Sequence, residues 1–270
     1  MKRIWLVSLP LLLAVGCGRP EPGSVQVPAR VLYFEASSLE DQEVLSIATE
    51  RLQTLIDENP GTRLAIFAHL RLGDIYSKNS DWDEAETSYR LFLTLNSNSH
   101  LTSYALYRLM RVNFEKSLTG LFFPAREVDR DMEPNRQLML EFKRFFLLYP
   151  NSIYMDEASP LHRAAREMLA RYELMVGDFY MKRESFHSAI GRYLYMLRNF
   201  PEYPESHVVL KKLIDAYRSN RQEELAREME RIYDLRSSGD VTWGDNSYLR
   251  GIGYRSLPIE IQAHIAGVAG

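Results

Sequence analysis

The sequence contains one cysteine, Cys17, so no disulfide can form within the chain. Its six histidines are scattered, and none falls at the spacing of a metal site. Gly251 and Gly253 follow no predicted strand and open no predicted helix, so they do not form a phosphate-binding loop. The net charge of -3 provides no electrostatic footprint for nucleic acid. These absences predict a non-enzymatic protein that has no cofactor and no nucleic-acid partner.

The chain also lacks an apolar run of the ~20 residues that a transmembrane helix needs. Two basic residues precede a shorter run from Ile4 to Val15, and small residues then lead to Cys17. This order predicts that residues 1–16 are an export signal. The segment Leu13-Ala14-Val15-Gly16-Cys17 resembles a bacterial lipobox, in which the cysteine receives a diacylglycerol and an N-acyl chain. An ordinary secretory signal with a stray cysteine is the alternative.

Two segments show no helical period. Residues 17–30 begin at the predicted lipid site, contain three prolines and two glycines, and are predicted to be a flexible tether. Gly18 follows the cysteine, and in bacterial lipoproteins the absence of aspartate there points to the outer membrane. Residues 236–270 are rich in glycine and are predicted to be disordered.

The remaining chain carries a repeated pattern of small and aromatic residues. Gly73 and Tyr76 are followed by Ala85 and Tyr89, at the intervals of a tetratricopeptide repeat. The small residues allow two antiparallel helices to approach closely, and residues 79–81 supply a turn between them. One such hairpin cannot bury its apolar face alone, so several are expected to stack.

Related intervals recur along the chain and predict an all-α solenoid of about five helix-turn-helix repeats over residues 31–235. The first repeat is loose, with a first helix expected over Leu32–Leu39. The third repeat is interrupted by an insertion at 117–134. The first helix of the fourth repeat is expected to start near Pro160. The five repeats are expected at about 31–61, 64–98, 102–150, 160–201 and 204–235.

Short segments in this region match one protein family in order and spacing. They are Phe122-Phe123, Asp129-Arg130-Asp131, Tyr149-Pro150-Asn151-Ser152 with Tyr154, Ala170-Arg171-Tyr172-Glu173, and Met196-Leu197-Arg198 with Pro201. With the lipobox and the repeats, the chain resembles the BamD family, the tetratricopeptide lipoproteins of the β-barrel assembly machinery. The resemblance covers residues 31–235 and does not account for the tail.

The resemblance implies a non-enzymatic lipoprotein on the periplasmic side of the outer membrane. Members of the family bind the POTRA region of the barrel protein BamA, often together with other assembly-machinery lipoproteins. They also receive unfolded outer-membrane proteins through a C-terminal signal. The resemblance assigns residues 31–158 to substrate receipt and residues 159–235 to partner docking.

The first helices of tetratricopeptide repeats line a groove, and the register predicts which side chains face it. An apolar, aromatic groove with two arginines suits an extended peptide that ends in an aromatic residue and a carboxylate. Contacts between repeats and solvated arginines are the alternative reading of the same side chains. The predicted groove residues are Tyr33, Phe67, Leu70, Asp74, Tyr104, Arg108 and Arg111.

A second candidate site lies in the fourth repeat. Ala189 and Tyr193 are predicted to face inward, so Arg192 between them is predicted to face outward. The resemblance aligns Arg192 with an arginine on the side that docks BamA, and Arg198 on the same helix is assigned with it. A solvated arginine without a partner is the alternative.

Two other classes of function fit the same sequence features. A periplasmic tetratricopeptide scaffold lipoprotein for peptidoglycan synthesis or secretion would use the groove for a different protein. An enzyme with an accessory solenoid is disfavoured, because the 35 residues after Leu235 are too few for a catalytic domain.

Overall fold

In the computed structural model, which describes residues 27–96, 100–119 and 131–238, these residues form α-helices and no β-strand. Successive helices pair into hairpins, from α1 with α2 to α9 with α10. The predicted all-α architecture of five tetratricopeptide-like repeats is therefore confirmed. The helices are α1 (Ala29–Asp41), α2 (Leu45–Glu58), α3 (Arg63–Asn79), α4 (Trp82–Leu95), α5 (Thr102–Thr119), α6 (Glu133–Leu148), α7 (Met155–Lys182), α8 (Phe186–Asn199), α9 (Ser206–Ser219) and α10 (Glu223–Ser237).

Several helix ends differ from their predicted positions. The first helix of the first repeat begins at Ala29, inside the segment predicted to be tether, because Leu32 and Ala36 give it a buried face. α7 begins at Met155 and contains Pro160 near its start. α10 continues to Ser237, beyond the boundary expected at residue 235.

Some predictions concern parts of the chain outside the described residues. The export signal, the lipid site at Cys17 and most of the tether lie there. So do residues 120–130, which include most of the predicted insertion, and the tail from residue 239 onward.

Four of the five hairpins close in the same way. One residue in each turn has a positive φ, and the N–H of the next residue donates to a carbonyl five residues earlier in the chain. In the α3–α4 turn, for example, Asp81 N donates to the Tyr76 carbonyl over 2.9 Å after the left-handed Ser80. This bond satisfies a carbonyl at the helix end that would otherwise lack a partner. The left-handed residues are Glu43, Ser80, Glu184 and Arg221.

Glycine and tyrosine set the helix spacing within the clearest hairpin, as predicted. A Cβ atom at Gly73 would lie 2.6 Å from the Tyr89 Cε1 atom, too close for any side chain. Gly177 and Tyr193 repeat this contact in the fourth repeat. Ala85 is completely buried in the same hairpin as Gly73. These small residues allow aromatic rings to fill the space between the helices.

The first helices of consecutive repeats also contact one another, α1 with α3, α3 with α5, and α5 with α7. They form one wall of the solenoid, and the second helices pack behind it. Buried side chains form three apolar clusters along the stack. In the part of the chain that the structure describes, no helix combines the length and apolar character needed to cross a bilayer.

Candidate functional site: a groove on the first helices

A cavity of about 500 Å³ opens on the wall formed by the first helices. Residues of α1, α3 and α5 line it, together with the loop before α5 and the residue that precedes α7. Its position agrees with the predicted groove, and five of the seven predicted residues line it. The lining residues are Tyr33, Arg63, Phe67, Leu70, Arg71, Asp74, His100, Leu101, Tyr104 and Tyr154.

Asp74 organises the polar side of the groove. Its carboxylate accepts hydrogen bonds from the Tyr89 hydroxyl over 2.7 Å and from the Tyr104 hydroxyl over 2.8 Å. Arg108 Nη1 lies 3.1 Å from the same Oδ1 atom and donates to the Tyr104 hydroxyl over 2.8 Å. Three repeat helices are therefore joined at one carboxylate, because Asp74 is on α3, Tyr89 on α4 and the other two on α5.

Both phenols stay neutral and donate to Asp74. Burial, and then the negative charge of Asp74, raise the pKa of Tyr104 well above its ordinary value. The same two causes raise the pKa of Tyr89. Neither hydroxyl therefore loses its proton in the physiological range, so the Asp74 cluster keeps its hydrogen bonds.

The groove arginines differ in whether an acidic residue already binds them. Arg108 is committed to Asp74, and Arg71 is committed to Glu40, with Nη2 2.8 Å from Oε2. Arg63 lies over the Phe67 ring at 5.4 Å from its centroid, and no carboxylate among the described residues pairs with it. Arg63 is thus the lining arginine that is available to an acidic ligand.

The two arginines predicted for the groove have different surroundings. Arg108 lies behind the lining surface, where it is largely buried against Asp74 and lies over the rings of Tyr89 and Tyr104. Arg111 is exposed on α5 and is not among the residues that line the cavity. Their roles in ligand binding remain predictions.

Aromatic rings form the apolar part of the groove. Phe67 stacks on Phe92 with centroids 6.2 Å apart. Tyr154 contacts Tyr104 at 5.5 Å and stacks nearly parallel on Tyr107 at 5.2 Å. Phe67 and Tyr104 thus line the cavity and also make contacts between helices. The two interpretations of these side chains, groove lining and packing between repeats, are therefore compatible.

The sequence prediction missed five lining residues. Arg63 and Arg71 are on α3, one helical turn away from predicted residues, and the turn spacing was a usable signal for them. His100, Leu101 and Tyr154 lie in connections between repeats. A repeat pattern does not specify how such connections fold back, so no sequence signal pointed to these three.

An arrangement like that around Asp74 recurs around Asp178, between the fourth and fifth repeats, but it contains one phenol instead of two. Asp178 accepts a hydrogen bond from the Tyr193 hydroxyl over 2.7 Å, and Lys212 Nζ lies 2.8 Å from its Oδ1 atom. Val208 stands where the fifth repeat would match Tyr104, so the second phenol is absent. The cluster at Asp178 therefore joins neighbouring repeats without the extra aromatic that lines the groove.

The predicted docking arginines lie on α8, the second helix of the fourth repeat. Arg192 is not free: its Nη1 atom donates to Glu173 Oε2 over 2.9 Å, and Glu173 is buried. The Arg192 side chain keeps 36% of its surface exposed, so it can still meet a partner. Arg198 is half-buried and is six residues further on, which places it on a different side of the helix.

A second cavity of about 450 Å³ lies between the start of α7 and the α8–α9 connection. Arg166 closes much of it, because it lies over the Phe200 ring and donates to Glu202 and to the Asn199 carbonyl. Within the described ranges, no group of histidine, aspartate and glutamate side chains could hold a metal ion.

Comparison with known proteins supplies the family. Residues 25–232 match the sequence model of the family described as "YfiO: Outer membrane lipoprotein". An outer membrane protein assembly factor BamD from Vibrio cholerae is 28% identical over 211 residues, covering 77% of this chain and 88% of the relative. The protein of the same name from Haemophilus influenzae is 24% identical over 233 residues, covering 84% and 89%.

Among solved structures, a crystal structure of MamA protein covers 79% of this chain and 96% of its own chain, at 14% identity and a TM-score of 0.36. That likeness is too weak to support an argument about function. The relatives, by contrast, are named as assembly factors, and this name together with a helical repeat fold points to a non-catalytic protein associated with the outer membrane. The family match spans most of the chain, and the chain belongs to the YfiO family of outer membrane lipoproteins.

Proposed function

We propose that the chain is a non-enzymatic subunit of the β-barrel assembly machinery and that its groove receives segments of unfolded outer-membrane proteins. The groove carries the proposal, because it is an open cavity of about 500 Å³ lined by aromatic side chains from three repeats. The names of the relatives, as outer membrane protein assembly factors, agree with this role. A surface of this kind holds a polypeptide by its side chains and performs no chemistry on it.

The ligand we propose is an extended peptide that ends in an aromatic residue and a free carboxylate. Its terminal ring would lie against Phe67 and Tyr104, which are both half-buried and reachable from the cavity. Its carboxylate would pair with Arg63, because Arg71 and Arg108 are already bound to acidic side chains. The sequence alone pointed to Arg108 and Arg111 for this contact, and the present assignment gives it to Arg63.

Fluorescence anisotropy of a labelled octapeptide ending in phenylalanine tests this proposal. We expect the free acid to bind about tenfold more tightly than the C-terminal amide, since a charge-assisted contact with arginine contributes over 1 kcal/mol. Arg63→Gln should remove this preference for the acid while leaving the affinity for the amide unchanged. Phe67→Ala should weaken both peptides.

Arg227→Gln is the matched control, because Arg227 is exposed on α10 and does not line the cavity. It should retain the full preference for the acid. Equal affinities of acid and amide for the unaltered protein would overturn the carboxylate assignment. If neither peptide competes with an unfolded outer-membrane protein for binding, substrate receipt in this groove is overturned.

We further propose that α8 docks the POTRA region of BamA, with Arg192 at the contact. Arg192 has a third of its surface exposed and lies beside the buried Glu173, which holds its guanidinium in place. A fixed and partly exposed guanidinium suits a bidentate contact with an acidic partner residue.

A pull-down of the POTRA region tests this docking site. Arg192→Gln should reduce the yield several-fold, and an unchanged yield would contradict the assignment. Co-purification with a peptidoglycan-synthesis or secretion protein instead of BamA would favour the scaffold alternative.

The membrane anchor is proposed to be lipid attached at Cys17, facing the periplasm. The lipobox resemblance and membership of a family of outer membrane lipoproteins support it. Cells given a labelled fatty acid should incorporate it into the unaltered protein and not into a Cys17→Ser variant. Equal labelling of the two proteins would contradict the proposed site.

A further inference from the structure

α6 and the turn that follows it expose large apolar side chains to solvent. Leu147 is 67% exposed and Ile153, in the turn that follows, is 80% exposed. Leu140, Phe146 and Leu148 are also more than half exposed. Isolated exposed leucines are common on protein surfaces, but five large apolar residues within so short a segment form a patch.

Repeat packing does not require apolar residues at these positions. Four of the second helices end with a buried residue, three further helical residues and one residue that caps the helix by donating back to that buried residue. In α6 the last two helical positions are both leucine, Leu147 and Leu148. In the other three helices the corresponding pairs are Asp57 and Glu58, Thr94 and Leu95, and Arg198 and Asn199.

Basic residues alternate with these leucines on the same side of the helix. Lys143 and Arg144 are exposed and lie between Leu140 and Leu147, at spacings of three and four residues that share one helix face. Neither cation has a carboxylate partner among the described residues. We call the surface formed by Leu140, Lys143, Arg144, Leu147, Leu148 and Ile153 the α6 outer face.

Acidic side chains lie at the borders of the α6 outer face and not at its centre. Glu133 stands at the start of α6, where it is 3.7 Å from Arg136. Asp156 and Glu157 begin α7. Glu141 points inward and binds Arg90 of α4 over 3.0 Å. The centre of the face is thus basic and apolar together.

We propose that the α6 outer face contacts the surface of a phospholipid membrane that contains anionic headgroups. Leucine and isoleucine side chains that alternate with unpaired lysine and arginine are typical of helices that lie in the membrane interface. Each cation near an anionic leaflet adds to the attraction, whereas lysine is depleted at the centres of protein interfaces. The family's association with the outer membrane places such a surface within reach.

The contact would determine the orientation of the solenoid. A single flexible tether leaves a domain free to rotate, and a second attachment becomes effectively intramolecular once the first is made. A weak contact at α6 is then sufficient to hold one side of the repeat stack toward the membrane. The inference depends on the membrane association and is independent of the groove.

Vesicle sedimentation tests the proposal on the mature chain from residue 17, with Cys17→Ser so that no acyl chain contributes. We expect binding to vesicles of phosphatidylethanolamine and phosphatidylglycerol at 3:1, and weak binding to phosphatidylcholine vesicles. Lys143→Gln with Arg144→Gln should weaken binding about tenfold or more, since each cation near an anionic surface contributes on the order of 1 kcal/mol. Leu147→Ser with Leu148→Ser should weaken it by a similar factor.

Matched controls change the same residue types elsewhere on the surface. Phe34→Ser alters an apolar side chain on α1 that is also more than half exposed, and Lys78→Gln with Arg227→Gln alters exposed cations on α3 and α10. Both controls should bind vesicles like the unaltered chain. Circular dichroism should be the same for every variant.

Three results would overturn the inference. One is no binding of the unaltered chain to anionic vesicles at low salt. Another is equal binding by the α6 variants and the controls. The third is a photo-reactive residue at position 147 that yields protein adducts and no lipid adducts in cells, which would assign the face to a partner protein.

Discussion

Gly73 and Gly177 are the two described positions where a packed tyrosine ring leaves no space for a side chain. Both pair with a tyrosine on the second helix of the same repeat, so one local rule sets the helix spacing in the second and fourth repeats. The repeat pattern by itself identifies these glycines, because the requirement for a small residue is local to one hairpin.

Substitution of Gly73 by alanine should destabilise the protein even though alanine is the better helix former. Helix propensity favours alanine by about 1 kcal/mol, whereas overpacking a tight contact costs about 1–3 kcal/mol. We expect the two effects together to lower the free energy of unfolding of Gly73→Ala by up to about 2 kcal/mol in urea titrations. Thr87→Ala, on the exposed side of α4, should change it by less than about 0.5 kcal/mol. A gain in stability for Gly73→Ala would contradict the packing argument.

The two aspartate clusters predict unequal effects of the same substitution. The Asp74 side chain is 20% exposed and accepts bonds from two phenols and Arg108, whereas the Asp178 side chain is 34% exposed and binds one phenol and Lys212. Loss of a buried charge partner is costly, and exposed pairs contribute little.

We therefore expect Asp74→Asn to lower the free energy of unfolding by about 2–3 kcal/mol and Asp178→Asn by about 1 kcal/mol. Urea unfolding of the two variants at pH 7 measures both values. Equal losses would show that the additional phenol and the deeper burial of Asp74 are unimportant.

An aromatic stack joins α6 to α7 in addition to their shared apolar cluster. Phe142 of α6 lies parallel to the His162 ring of α7, with centroids 4.0 Å apart. Burial, and then the positive charge of Arg166, lower the pKa of His162. The folded protein therefore holds this imidazole neutral.

Acid should weaken this junction. The unfolded chain takes up the His162 proton first as pH falls through about 6.5, so the stabilising contribution is complete above that pH and is lost below it. His162→Phe keeps the stack without the titration, and it should reduce the loss of stability between pH 7.5 and pH 5.5. His69, whose pKa burial also lowers, remains in both proteins and leaves a residual slope.

Arg192 shows how a residue proposed for docking can also support its own helix. It joins α8 to α7 through the buried Glu173, so a charge reversal at Arg192 would bring two carboxylates together. We expect Arg192→Glu to lower the free energy of unfolding by about 2–3 kcal/mol, a value reduced for the partial exposure of the arginine.

Exchange of the two charges provides the control. Arg192→Glu combined with Glu173→Arg should recover at least half of the lost stability in urea titrations, because the pair is restored in reverse. If the single charge reversal is as stable as the unaltered protein, the pair has no structural role. Because the exchanged variant keeps the ion pair, a loss of partner binding in that variant would be attributable to docking alone.

At the scale of the whole molecule, the described helices form a linear stack, and the stability of each repeat should depend mainly on its neighbours. α10 buries Ala226, Met229 and Ile232 and contacts α9. Each repeat in a solenoid depends chiefly on its neighbours. The ends of the stack are therefore expected to open independently of each other.

Truncation after Asn220 removes α10 and tests this expectation. Hydrogen exchange followed by mass spectrometry should show faster exchange in α8 and α9 and unchanged exchange in α2 to α4. The unaltered chain provides the reference for each peptide. A uniform increase over all helices would show that the solenoid unfolds as one cooperative unit.

The sequence by itself determined the number of repeats, their small and aromatic packing residues, the family, and the wall on which the groove lies. These features depend on contacts within one hairpin or between adjacent hairpins, which a fixed spacing encodes. Only the tertiary structure decided which charges are already paired. Arg108 meets Asp74, Arg71 meets Glu40 and Arg192 meets Glu173, each across different helices. Spacing within a helix does not specify such partners, because they depend on how neighbouring helices are placed and on which side chain reaches the carboxylate.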